Sequence, residues 1–235
     1  MTNTATNSAG HAFIIGASRG LGLAIVEQYL KRGWHVVATA RASGSALDRL
    51  ADRWSDRLSI EHVDINDPEQ VLALHERLVS RTFDLLFVNA GVKNDDRETI
   101  ADVSTEEFVR VMVTNALSPL RAVEIFDDLV REDGTIGLMT SGQGSIANNE
   151  TGGYEVYRGS KAALNMFMRS YAARNRDRER TLLLMAPGWV RTDMGGPGAS
   201  MTIGESVPPL VDTIEAQRGK PGLQYLDRLG ATVPW

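Results

Sequence analysis

Ala12-Phe13-Ile14-Ile15-Gly16-Ala17-Ser18-Arg19-Gly20-Leu21-Gly22 is the stretch that decides the fold. Its four leading apolar residues read as a strand buried on both faces, and helical spacing begins at Leu21 and runs over 21–31. Between them the glycines let the backbone turn sharply and approach a ligand closely. A helix that starts at such a turn presents free N–H groups and the positive end of its dipole, which suits a pyrophosphate. A tight strand-to-helix turn that binds nothing has the same glycines, so the motif needs its context.

Moving outward, apolar runs recur at 12–15, 34–39, 58–63, 83–88, 135–140 and 181–185, with a last strand at 223–226. Several are continuously apolar, as parallel strands covered on both faces must be. Helical stretches fall between them at 21–31, 46–54, 68–79, 105–117, 120–130 and 154–174. Strict alternation predicts right-handed βαβ crossovers and a single-domain α/β fold. The expected form is a Rossmann-type doubly wound parallel sheet in a three-layer α/β/α sandwich over 11–235. Asp67-Pro68 supplies a helix start, and Ser104 with Glu107 resembles a capping box. Residues 188–209 are rich in glycine and proline and long for a connection, which makes them a candidate substrate lid. The polar residues 1–10 read as a disordered tail.

The chain has 235 residues, 43% of them apolar, enough for one large core. A net charge of -5 without an extended basic stripe argues against nucleic acid or an anionic membrane as partner. Without cysteine there are no disulfides or thiolate metal sites. His11, His35, His62 and His75 lack metal-ligand spacing, and no Gly-x-Ser-x-Gly elbow supports a serine hydrolase. The expectation is a cytoplasmic protein acting on a small molecule, with no metal.

The second strand ends at Arg41, where an acid would accept bonds from the ribose hydroxyls of NAD, and Arg19 lies inside the glycine loop. Two guanidiniums suit a 2′-phosphate, so NADP(H) is expected; a pair of solvated surface arginines is the alternative. In Tyr157-Arg158-Gly159-Ser160-Lys161 a spacing of four places Tyr157 and Lys161 on one helix face. There an ammonium can stabilise phenolate and make the tyrosine an acid or base. An ordinary amphipathic helix has this spacing too.

Glycine loop, Asn89-Ala90-Gly91, Asn115, Ser141, Tyr157 with Lys161, and Pro187-Gly188 follow one another in an order that resembles the short-chain dehydrogenase/reductase family over nearly the whole chain. The segments around Ser141 and Tyr157, with the Val233-Pro234-Trp235 ending, look like its C-factor and sniffer-type carbonyl reductase branch. The resemblance implies a carbonyl–alcohol oxidoreductase in which Tyr157 is the acid/base, Ser141 binds the substrate oxygen and Lys161 holds the nicotinamide ribose. Asn115 would complete a water-linked relay. Pro119, four residues on, has no N–H for the Asn115 carbonyl, freeing it to hold water; Pro119 as a boundary between two helices is the other reading. By the same resemblance Gly16, Ser18, Arg19, Gly20, Leu21 and Gly22 cradle the cofactor with Arg41. Asp64 and Ile65 meet adenine, and Asn89, Ala90 and Gly91 pack beside the cofactor. Pro187, Gly188, Val190 and Thr192 meet the nicotinamide amide. Asp64, Asn89 and Thr192 also suit plain strand-end caps.

Ile15 and Val88 stand where the family often has threonine and asparagine, so bonds that brace the loops are expected to be missing. The segment 148–152, in the gap between Ser141 and Tyr157, is expected to shape the pocket wall. The family further implies a homo-oligomer, dimer or tetramer, through the helices around Asn115 and Tyr157. A catalytically silent dinucleotide-sensing module of the same fold is the rival reading, opposed by the intact Ser141, Tyr157 and Lys161.

Overall fold

The computed structural model describes residues 10–235. Among them, seven strands form one sheet: β1 (His11–Ile15), β2 (His35–Ala40), β3 (Leu58–His62), β4 (Phe83–Val88), β5 (Val130–Met139), β6 (Thr181–Ala186) and β7 (Gly222–Asp227). Their order is β3-β2-β1-β4-β5-β6-β7 and every neighbouring pair is parallel. The order reverses between β1 and β4, which opens a crevice at the carboxyl ends of those strands, the place where open α/β sheets bind ligands.

Helices cover both faces: α1 (Gly20–Lys31), α2 (Ala46–Arg53), α3 (Pro68–Leu78), α4 (Thr105–Met112), α5 (Ser118–Phe126), α6 (Glu155–Arg174) and α7 (Ile203–Gln217). Successive strand side chains point to opposite faces, so β1 serves two cores. Phe13 and Ile15 pack with Val71, Leu74, Phe126 and Met168 from α3, α5 and α6. Ala12 and Ile14 pack with Ile25, Val26, Leu47 and Ile214 from α1, α2 and α7. This is the expected three-layer sandwich.

Four readings of the sequence need correction. The tail expected over 1–10 lies outside the described residues except at Gly10, which is buried; its carbonyl accepts from His35 N–H. Ser104 does cap α4 through Glu107 N–H, but Glu107 turns to Arg110 instead of closing a capping box. The candidate lid 188–209 is divided, because α7 starts at Ile203 behind a full capping box of Thr202 and Glu205. Pro208 and Pro209 sit inside α7. The carbonyls they leave without donors belong to Gly204 and Glu205, which are exposed and so open to solvent.

The fourth concerns Pro119. Met112, Leu117 and Ser118 all keep right-handed helical angles, so α4 and α5 form one continuous run joined by a π-turn over Val113–Leu117, where Ser118 N–H reaches back to the Val113 carbonyl. Pro119 therefore lies in the first turn of α5 without interrupting the helical run. The chain has taken the wider turn where Pro119 cannot supply a donor to the Asn115 carbonyl.

Candidate active site

Gly16 opens the turn after β1 at φ 87, and Gly20 sits at φ 59. A Cβ on Gly22 would lie 2.1 Å from the Gly16 carbonyl oxygen, so only glycine lets α1 close on β1 this tightly. The loop is braced after all. Gly16 N–H donates to the Thr39 hydroxyl at 3.0 Å, Ala17 N–H to the Thr39 carbonyl at 2.8 Å, and Asn89 Nδ2 to the Gly16 carbonyl at 2.9 Å. Thr39, from the neighbouring strand, supplies the hydroxyl that Ile15 lacks.

α2, α3, α4 and α7 each receive a side-chain cap, whereas Arg19 at the start of α1 makes none, as Leu117 and Tyr154 make none for α5 and α6. The first turn of α1 keeps donors for an outside anion. The Arg19 guanidinium instead pairs with Asp193 beyond β6, across the mouth of the crevice. Both partners are more than two-thirds exposed, so the pair is worth roughly 0–1 kcal/mol and yields readily to a phosphate. Arg41 is exposed at the end of β2 and has no partner among the described residues. Uncapped helix, glycine turn and free guanidinium together fit a dinucleotide that bears a 2′-phosphate.

The remaining expected cofactor residues lie along the same edge. Asp64 Oδ1 accepts from Asn66 N–H while Ile65 is buried, so the Asp64 carboxylate acts as a strand-end cap. Thr192 Oγ1 accepts from Gly195 N–H at 3.1 Å, and its methyl faces the space beside Gly20. Pro187 carbonyl accepts from the buried Ser206 hydroxyl at 2.8 Å, which fixes the chain as it enters Gly188 and Val190.

Ser141 follows β5 in extended conformation, and its Oγ accepts from Gln143 N–H at 3.2 Å to start a one-turn 3₁₀ helix. Opposite it, α6 carries Tyr157 and, one turn on, Lys161. The segment 148–152 is exposed, and Gly152, Gly153 and Tyr154, all at positive φ, deliver the chain into α6. Burial pushes the Tyr157 phenol above its ordinary value, and a hydrogen bond with Ser141 pulls it back. The lowering of this pKa expected from Lys161 is outweighed here, burial being the larger effect. Lys161 is 3% exposed and donates to the Met139 carbonyl at 2.9 Å, and burial pulls its own ammonium down to about 8.

Asn115 lies fully buried in the π-turn. Its Oδ1 accepts from Val92 N–H at 2.8 Å; its Nδ2 donates to the Val92 carbonyl at 2.7 Å and to Ser160 Oγ at 2.9 Å. Ser160 Oγ in turn donates to the Tyr157 carbonyl at 2.7 Å. The side chain thus ties the loop after β4 to α6, leaving any relay to its main-chain carbonyl. Gly91 belongs to the same knot, since a Cβ there would lie 3.4 Å from Asn115 Oδ1 and 3.5 Å from Lys161 Nζ.

Sequence reasoning missed Thr39, Ser160, Asn165 and Tyr225. Asn165 had a signal, lying one turn beyond Lys161 on the same face of α6. Its Oδ1 accepts from Thr140 Oγ1 at 2.7 Å, and its Nδ2 donates to the Gly144 carbonyl at 3.2 Å. Tyr225 had none, being 84 residues from the Ser141 carbonyl to which it donates.

A family model described as short chain dehydrogenase matches residues 10–201. C-signal of Myxococcus xanthus is 36% identical over 154 residues, covering 65% of this chain and 92% of its own length. Among solved structures, a short-chain dehydrogenase/reductase from Burkholderia multivorans with bound NADP is 56% identical with a TM-score of 0.96, covering 97% of this chain and 100% of its own. Carbonyl reductase Sniffer of D. melanogaster is 27% identical with a TM-score of 0.87, covering 97% of this chain and 100% of its own. With the fold, the glycine turn and the facing Ser141, Tyr157 and Lys161 all in place, the chain belongs to the short-chain dehydrogenase/reductase family of oxidoreductases.

Proposed function

We propose that this protein is an NADP(H)-dependent reductase of ketones or aldehydes, with Tyr157 as proton donor. The observation that carries the reading is the placement of Tyr157 on α6, facing Ser141 and one helical turn before the buried Lys161, where it remains the protonated phenol that a tyrosine is at neutral pH. That is the form needed to give a proton to a carbonyl oxygen. The bound relatives and the unpartnered Arg41 support the choice of cofactor.

In this reading Gly16, Ser18, Arg19, Gly20, Leu21 and Gly22 hold the pyrophosphate, and Arg41, with Arg19 released from Asp193, the 2′-phosphate. Asp64 and Ile65 border the adenine, and Asn89, Ala90 and Gly91 the middle of the cofactor. Lys161 binds the nicotinamide ribose, and Pro187, Gly188, Val190 and Thr192 the amide. The bound cofactor supplies two electrons as a hydride equivalent. As negative charge grows on the substrate oxygen, Ser141 donates a hydrogen bond to it and Tyr157 transfers its proton. Lys161, mostly charged at neutral pH, stabilises the phenolate left behind. The Asn115 carbonyl, freed by Pro119, holds the water through which Tyr157 is reprotonated.

The same reading carries the expectation of a homo-oligomer. Phe108 and Val109 on α4, Leu117 in the π-turn, and Met166 and Phe167 on α6 leave apolar side chains in solvent around those helices.

NADPH oxidation with a panel of ketones, aldehydes and quinones, for the wild type and Tyr157→Phe, tests it. The variant should bind NADPH as the wild type does, with turnover lower by roughly two to four orders of magnitude. Near-normal turnover in the folded variant would remove Tyr157 from the mechanism. NADPH binding without turnover of any carbonyl would favour the silent module.

A further inference from the structure

A serine that hydrogen-bonds a reacting oxygen must be held to within about half an ångström. Yet Ser141 begins a loop with glycines at 142 and 144 and only one 3₁₀ turn. α6 grips one side of it. Lys161 bonds the Met139 carbonyl, and Asn165 bonds Thr140 and the Gly144 carbonyl. A Cβ on Gly144 would meet Asn165 Nδ2 and Lys161 at 3.0 Å, so loop and helix are in direct contact.

The other side is held by β7 and the residues after it. Tyr225, 1% exposed on β7, donates from its phenol oxygen to the Ser141 carbonyl. Beyond β7 the chain doubles back, with Leu226 bridged to Thr232 and Val233 N–H bonded to the Tyr225 carbonyl at 2.9 Å. This return places the Trp235 ring 5.4 Å from the Tyr225 ring, with the Arg169 guanidinium 4.7 Å over it. The Trp235 carbonyl then accepts from Ala147 N–H at 2.9 Å, at the far end of the Ser141 loop. A phenylalanine would pack as the Tyr225 ring does, so the hydroxyl is accounted for by its polar contacts, the bond to the Ser141 carbonyl and an approach to the Asn165 side chain, itself a holder of the same loop. Burial pushes that phenol up to about 12, which keeps it a donor through any working pH.

We propose that Tyr225 is a positioning residue for Ser141, its hydroxyl fixing the Ser141 carbonyl while Trp235 pins Ala147, so that the two ends of the loop are held from β7 and its return. The inference rests on the reductase reading for its effect on rate, but the clamp itself is measurable without turnover.

The test is Tyr225→Phe, with Trp235→Ala and Trp235→Phe. Tyr225→Phe should lower the melting temperature only by the roughly 2–4 °C that one lost hydrogen bond costs, and keep NADPH affinity and carbonyl KM, while kcat falls about tenfold as Ser141 loses its placement. Amide hydrogen exchange over 142–147 should quicken in Tyr225→Phe. Trp235→Ala should quicken it at Ala147, and Trp235→Phe should restore it. Wild-type kcat and exchange in Tyr225→Phe would overturn the proposal, as would a kcat loss matched by a general loss of stability. If Tyr157→Phe keeps full turnover, the reductase reading fails, and the exchange data still decide the clamp.

Discussion

At Lys161 a full positive charge sits 3% exposed with a single carbonyl partner, and burial lowers its pKa from 10.5 to about 8. The sign of the consequence follows from proton counting. Between pH 8 and 10.5 the unfolded chain keeps a proton on this lysine that the folded chain has released, so this group's contribution to stability rises with pH across that window. Below pH 8 the folded state bears the cost of the buried charge. In the proposed reading the charge serves binding and chemistry at the expense of stability. Lys161→Met should therefore be stable relative to the wild type at pH 7, less the roughly 1 kcal/mol of the lost bond to Met139. That advantage should shrink by about 2–3 kcal/mol as the pH rises to 10. Urea unfolding of both proteins across that range measures the difference; a difference independent of pH would mean that Lys161 is not depressed.

Among the elements, the stretch between β6 and α7 departs furthest from expectation. What remains of the candidate lid, 188–202, is tied to itself: Arg191 N–H donates to the Met201 carbonyl at 2.8 Å, Met201 N–H to the Trp189 carbonyl at 3.2 Å, and Trp189 Nε1 to the Gly195 carbonyl at 2.9 Å. Its link to the glycine loop is the exposed Arg19–Asp193 pair. A loop with internal bonds and a weak outer latch moves as a unit. Hydrogen exchange should thus fall over 188–202 when NADP(H) is added, while the body of α7 exchanges slowly throughout. Slow and unchanged exchange over 188–202 would argue against any lid. The alternation of strands and helices, the glycine turn and the Tyr157–Lys161 pair were legible in the sequence, because each is written in residues close together. α7 was not, since Pro208 and Pro209 mask a helix whose exposed carbonyls can do without their donors. Thr39 and Tyr225 act across strands and loops, where no local pattern announces the partner.

On the scale of the whole molecule, the crevice lies where the sheet changes direction, with β1, β2 and the glycine loop on one side and β4, β5 and α6 on the other. A dinucleotide lying there borders both halves of one continuous sheet, so its binding energy adds to the stability of one cooperative unit. At a concentration 100 times its Kd a ligand that binds only the folded state adds about 2.7 kcal/mol. For a domain of this size that raises Tm by roughly 5–10 °C. NADP(H) should produce such a shift, and NAD(H) at the same concentration much less, because Arg41 has no partner to satisfy unless a 2′-phosphate is present. A charged hydrogen bond of this kind is worth roughly 1.5–3 kcal/mol, discounted at an exposed site by solvent screening. Arg41→Asp should abolish most of the NADP(H) shift by removing the attraction and repelling the phosphate. It should leave the NAD(H) shift equal or larger, since the new carboxylate accepts from the ribose hydroxyls. Arg19, released from Asp193, should retain part of the original preference, and Arg19→Ala added to Arg41→Asp should remove it. Equal shifts for both cofactors in the wild type, or an unchanged ratio in Arg41→Asp, would make Arg41 a solvated surface charge and withdraw the NADP(H) assignment.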